Sequence, residues 1–238
     1  RSAAALFAAL GELRLARGEP GSALDPLREA RRVHEARQSL RTPEGVGVLL
    51  MLGRAHAAAG DYGLALGIHE EARRLSTAGR AATSEGAEAA ACVGEAHARL
   101  EDFDAALEAF SDARRLREAL GAMESMDGAT LLMRIGDVKR AQGFGNRALE
   151  EYEEGVRLAG RLGALETAAG AELLGAAGAA RCAAGDLRGA KAALTEASRI
   201  HGQFGTLRKE AGRRTWEGID HLERTLAAGR KVPQKLRL

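Results

Sequence analysis

An aliphatic residue or alanine followed by glycine recurs five times along the chain, as Leu10-Gly11, Leu52-Gly53, Val93-Gly94, Ile135-Gly136 and Ala177-Gly178. The glycine-to-glycine steps are 42, 41, 42 and 42. A fixed period of this size marks an array of like units, each of which buries its apolar face on its neighbour. Three further columns move in step with the glycines. Alanine stands at 23, 65, 106, 148 and 190, a larger residue follows at Leu27, His69, Phe110, Tyr152 and Leu194, and Ala30, Ala72, Ala113, Gly155 and Ala197 come three positions later. A glycine or alanine at a helix crossing lets two backbones approach closely, and the large side chain fills the hollow beside it.

Composition agrees with helices packed through small side chains. Aromatic residues make up only 3% of the chain, against 45% hydrophobic and 29% charged, a poor supply for a β-rich core. Turn signals fall between the columns. Gly18, Gly60, Gly143 and Gly185 are placed to end a first helix in the left-handed conformation, and Asp61, Asp102 and Asp186 to cap the second. Gly121, Gly163 and Gly205 read as C-caps of the second helix, and Gly45, Gly86, Gly128, Gly170 and Gly212 recur before each next first helix.

On these columns the chain resembles the tetratricopeptide repeat (TPR) family, whose pattern is Leu-Gly in helix A, then Ala, a large residue and Ala in helix B. The long repeat is similar to that of kinesin light chains and Pins-type polarity adaptors, without the asparagines those families carry along helix A. The resemblance implies an all-α, right-handed α-solenoid of five TPR helix-turn-helix repeats, at about 4–44, 45–85, 86–127, 128–169 and 170–205. A capping helix over 206–229 and a basic tail over 230–238 follow. Trp216 stands in the column of Phe7, Leu49 and Leu132 and is expected to plug the end of the stack.

Several functional classes find no support. Gly143-Phe144-Gly145-Asn146-Arg147 looks like a fragment of a dinucleotide fingerprint, but it joins two helices with no strand before it. There is no phosphate-binding Gly-Lys-Ser/Thr sequence and no Gly-x-Ser-x-Gly elbow. Cys92 and Cys182 lie in separate repeats without metal-type spacing and read as reduced thiols of a cytoplasmic protein. His56 and His97, at equivalent places about 10 Å apart, and His69 in the large-residue column read as satisfied, partly buried histidines. An acid three residues before an arginine recurs in every helix B, from Glu29/Arg32 and Glu71/Arg74 through Asp112/Arg115 and Glu154/Arg157 to Glu196/Arg199. This spacing predicts a solvated charge ladder. No catalytic residue, cofactor or metal is assigned, and no run is long and apolar enough for membrane insertion.

The family resemblance places function on the concave face lined by the A helices. The matching positions are Glu12, Leu50, Arg54, Glu88, Glu95, Arg99, Met133, Arg134, Asp137, Arg140, Glu172 and His221. Leu50 and Met133 are the expected apolar contacts, and the arginines would pair with acidic side chains of a protein or peptide partner. Asparagine is missing from this set, so the carboxylate clamp of chaperone adaptors is not expected. The leading expectation is a non-enzymatic interaction scaffold or adaptor. An alternative is a regulatory arm of a larger multidomain signalling ATPase, in keeping with a chain that opens on Arg1 and not Met. RNA binding ranks last, because Phe7, Tyr62, Phe103, Phe110, Tyr152 and Trp216 are all expected in packing and Leu207–Leu238 carries only nine Lys or Arg against four Asp or Glu.

Overall fold

The computed structural model describes residues 3–77, 82–206 and 212–231. Among them are eleven helices and no strand: α1 (Ala3–Ala16), α2 (Pro20–Ala36), α3 (Pro43–Ala58), α4 (Tyr62–Thr77), α5 (Ser84–Arg99), α6 (Phe103–Ala119), α7 (Met126–Ala141), α8 (Gly145–Arg161), α9 (Ala168–Ala183), α10 (Leu187–Gln203) and α11 (Arg213–Lys231). The chain forms two compact units, Arg1–Met123 with α1–α6 and Glu124–Leu238 with α7–α11. The odd-numbered helices are the A helices of the repeats, α11 included, and the even-numbered ones are the B helices.

The small-against-large columns are the packing contacts. A Cβ on Gly11, Gly94, Gly136 or Gly178 would lie 2.5 to 2.7 Å from Leu27, Phe110, Tyr152 or Leu194, and one on Gly53 would strike the His69 ring. Real side chains do not approach so closely, so at each A–B crossing glycine is the residue that admits its partner. The A helices take most of the burial. In unit 1, α3 packs against α1, α2, α4 and α5. In unit 2, α9 packs against α7, α8, α10 and α11.

Four A helices share one start signal that the periodicity alone does not show. Thr42, Thr83, Ser125 and Thr167 accept hydrogen bonds from the amides of Gly45, Gly86, Gly128 and Gly170 at 3.0 to 3.2 Å. These glycines therefore sit in the third helical position, inside helix A and not before it. At Gly45 and Gly170 the incoming loop backbone occupies the space a Cβ would need. Helix A thus begins at Pro43, Ser84, Met126 and Ala168, two residues ahead of the expected repeat boundaries. Because a lost cap costs about 1 kcal/mol, Thr167→Ala is expected to lower the stability of unit 2 by about that amount in urea unfolding, with Thr167→Ser close to neutral.

The A-to-B turns follow the expected chemistry, with φ of 75°, 90°, 85° and 87° at Gly18, Gly60, Gly143 and Gly185. Glu101 adopts the same hand at 62° without glycine. Asp102 and Asp186 cap α6 and α10 through the amides of Ala105 and Gly189. Gly121, Gly163 and Gly205 end their B helices at φ of 62° to 65°. The charge ladder is present in part. Glu29/Arg32, Asp112/Arg115 and Glu196/Arg199 pair within their helices, while Arg31 reaches Glu71 and Arg73 reaches Asp112 across successive B helices of unit 1.

Three expectations are corrected. Trp216 is 54% exposed and plugs nothing. Its column, which includes Leu49 and Leu132, lies under each repeat's own helix B, as the 3.7 Å approach of a Gly155 Cβ to Leu132 shows. No helix B follows α11 among the described residues. The end of unit 2 is closed instead by Thr215 against Gly175 and by Leu222 with Cys182, Ala190 and Leu194. Phe7 is likewise 36% exposed. His69 is buried, but its Nδ1 has no hydrogen-bond partner, so it is not a satisfied core histidine. His56 is satisfied by Asp61, whose carboxylate lies 3.3 Å from its Nδ1, and His97 Nδ1 lies 3.4 Å from the Asp102 carboxylate. Neither cysteine is in a disulfide, and both are buried. The tail from 232 onward, with Pro233, Lys235 and Arg237, lies outside the described residues, as do the side chains of Arg230 and Lys231.

Candidate functional site

The twelve projected residues separate by unit. In unit 1, Glu12 is exposed on α1, and Arg54 on α3 forms an ion pair with Glu88 on α5. Arg99 lies over the Tyr62 ring at 5.8 Å, and Glu95 is half-buried on α5. Leu50 is no exposed anchor. It is 3% exposed in the core with Val46, Leu49, Ala72, Ala89 and Cys92, because its column faces the next A helix. Met133 occupies the same column on α7 and is 9% exposed.

In unit 2 the projected residues converge. Asp137 on α7 accepts hydrogen bonds from the Tyr152 hydroxyl at 2.8 Å and from Arg214 Nη2 at 2.6 Å. Arg140, one turn along α7, donates to the same Tyr152 hydroxyl. Glu172 on α9 lies in the field of Arg214, Arg134 and Asp137. Burial, followed by the Asp137 charge and hydrogen bond, raises the Tyr152 pKa, so the phenol stays neutral and remains a donor. Burial raises the Glu172 carboxyl as well, against the pull of Arg214 and Arg134. The Arg214 charge is opposed by its own burial, which the Asp137 charge and hydrogen bond, with Glu172, outweigh.

Beside this network lies a cavity of about 390 Å³. Its floor is the face of α9 carrying Ala176, Ala179, Ala180 and Ala183. Arg140, Asn146 and Tyr152 form one wall, and Arg214, Glu217 and His221 form the other. The sequence projection found Arg140 and His221 and missed the remaining polar members. Arg214 was legible, because it stands six residues before the position equivalent to the repeat glycine, the column that also holds Glu88 and Glu172. Tyr152 was assigned to packing alone, but its ring packs while its hydroxyl works in the network. Asn146, the one asparagine of the chain, lines the cavity from the start of α8 and not from an A helix. Among the described residues no group of three or more His, Cys, Asp or Glu could hold a metal ion, and no helix is long and apolar enough to cross a membrane.

No protein-family model and no curated protein matches the chain. Solved structures do. A Podospora anserina protein described as a putative kinesin light chain with nearly identical TPR-like repeats aligns over 86% of this chain and 98% of its own, at 15% identity and a TM-score of 0.68. BtubC (BKLC) from P. vanneervenii aligns over 85% and 82%, at 22% identity and 0.71. The apo form of RapI aligns over 93% and 85%, at 13% identity and 0.69. At these identities the likeness is one of fold, and it agrees with the column-by-column packing: the chain has the TPR-like helical-repeat fold.

Proposed function

We propose that the chain is a non-enzymatic interaction scaffold, an adaptor that receives a peptide or helical segment of a protein partner on the face formed by its A helices. The observation that supports this best is the cavity of unit 2, where three consecutive A helices place an apolar floor between two polar walls. Binding sites of this kind are concave and mostly apolar, with a few polar groups that fix orientation. The titratable groups around it are engaged with one another: Asp137 is held by Tyr152 and Arg214, and the phenol is kept neutral. Such an arrangement suits holding a partner better than turning over a substrate. The B-helix surface offers a contrast, with its acids and arginines paired in exposed ladders worth little individually.

The test is site-specific photo-crosslinking of the full-length protein in its native extract, read by mass spectrometry. A crosslinker replacing Glu217, exposed on the cavity wall, is expected to capture a discrete partner. One replacing Arg115, exposed on the outer surface of α6, is expected to capture none. Adducts from Arg115 and not from Glu217 would move the binding surface to the B helices and overturn the proposal.

A further inference from the structure

Within the adaptor reading, on which this inference rests, the unit 2 cavity specifies the chemistry of the partner. The residue following the repeat glycine is charged or titratable in five of the six A helices: Glu12, Arg54, Glu95, Asp137 and, by register, His221. In α9 it is Ala179. The cavity lies where this column loses its polar side chain, and α9 supplies methyl groups alone along the floor. Its volume of about 390 Å³ is at the small end of ligand pockets, which run from about 300 to 1,000 Å³. It suits one or two apolar side chains and not a whole cofactor. From Ala176 to Ala183 the floor extends about 10 Å, longer than one side chain is wide, so a segment lies along it and continues past it.

The walls give that segment a polarity. Around the network and the cavity stand three guanidinium groups, Arg134, Arg140 and Arg214, and three carboxylates, Asp137, Glu172 and Glu217. Asp137 is already shared by Arg214 and Tyr152. Arg140 is exposed at the α7 wall and donates to a neutral phenol, and among the described residues no ion pair holds it. Glu217, on the α11 wall, would repel an acid placed on that side. We propose that the cavity is the anchor pocket for an internal partner motif in which an apolar side chain seated on the α9 alanines is adjacent to an acidic side chain bound by Arg140.

The probe is a random linear peptide display library selected against the full chain, followed by synthesis of the enriched peptides and fluorescence anisotropy. Enriched peptides are expected to carry Asp or Glu within a residue or two of an aliphatic or aromatic side chain. Arg140→Gln, and separately Ala183→Leu, which fills the floor from an exposed position, are each expected to weaken binding about tenfold. Arg157→Ala, on the exposed face of α8, leaves it unchanged. Converting the peptide acid to its amide should cost affinity against the natural chain and little against Arg140→Gln, the coupling that a direct contact requires. Amidating the peptide C-terminus should change nothing; a loss there would assign the carboxylate to a chain end and overturn the internal motif. Peptides without an acid, or binding indifferent to both Arg140→Gln and Ala183→Leu, would overturn the anchor pocket. If such peptides are lost with Arg54→Ala, the adaptor reading survives on unit 1. If no sequence is enriched, both readings fall.

Discussion

Gly136→Ala is expected to lower the stability of unit 2 by about 3 kcal/mol, the upper part of the usual range for overpacking a core. One methyl group has this effect because nothing near it can yield. A Cβ at 136 would stand 2.6 Å from Tyr152 Cε1 and 2.9 Å from Cδ1. The Tyr152 ring is 1% exposed, and its hydroxyl is tied to Asp137 at 2.8 Å. Retreat of the ring would break that bond and disturb the site Arg214 shares, so loss of stability and loss of partner binding should appear together in this variant. Gly67→Ala is the control. It lies inside α4 with open space around it, and the better helix propensity of alanine should raise stability by about 0.5–1 kcal/mol. Urea unfolding followed by circular dichroism separates the two. A small rise of the same size for both would mean that the glycine column is a matter of propensity and not of close approach.

The same column explains how much of the molecule the sequence made legible. Glycine and its large partner are separated by a constant 16 residues in all five repeats, a short-range relation that survives low sequence similarity because the crossing geometry permits little else. The A and B helices, their left-handed glycine ends and the ordering of the repeats follow from it. Burial within the projected groove was harder to see. Leu50 and Met133 occupy a column that meets the next A helix, and whether such a residue is packed or exposed depends on the neighbour's size. Ala89 and Cys92 close over Leu50, whereas Glu217, by register in the same column of α11, has no following A helix among the described residues and is exposed. Trp216 misled for a related reason. Its column is apolar because each repeat's own helix B covers it, and α11 has no such partner among the described residues. The wall of the cavity formed by Asn146 and Tyr152 comes from helix B, so a projection of A helices alone passes over it.

His69→Phe is expected to remove most of the acid sensitivity of unit 1. His69 belongs to the column of Leu27, Phe110, Tyr152 and Leu194, and its ring fills the hollow above Gly53 as Phe110 does above Gly94. It is 2% exposed and its Nδ1 is unpartnered. Burial first, and the nearby Arg54 charge second, hold its pKa down at about 4, from an ordinary 6.5. The sign of the pH effect follows. Above 6.5 neither the folded nor the unfolded chain carries this proton. Between 6.5 and 4 the unfolded chain binds it and the folded chain does not, so falling pH draws the equilibrium toward unfolding. At about 1.4 kcal/mol per pH unit, the loss accumulates to about 3 kcal/mol by pH 4. Phenylalanine fills the equivalent hollow in the next repeat, as Phe110, and here it abolishes the titration and removes the unpartnered nitrogen. The variant should therefore be at least as stable as the natural chain at pH 7, and its advantage should widen steadily toward pH 4.5 in urea unfolding. His201 in unit 2, whose pKa burial also lowers, gives both proteins a common slope that cancels in the comparison. Parallel curves for the two proteins would show that the folded chain accommodates a charged imidazole at the Gly53 crossing, and that this contact is looser than its geometry requires.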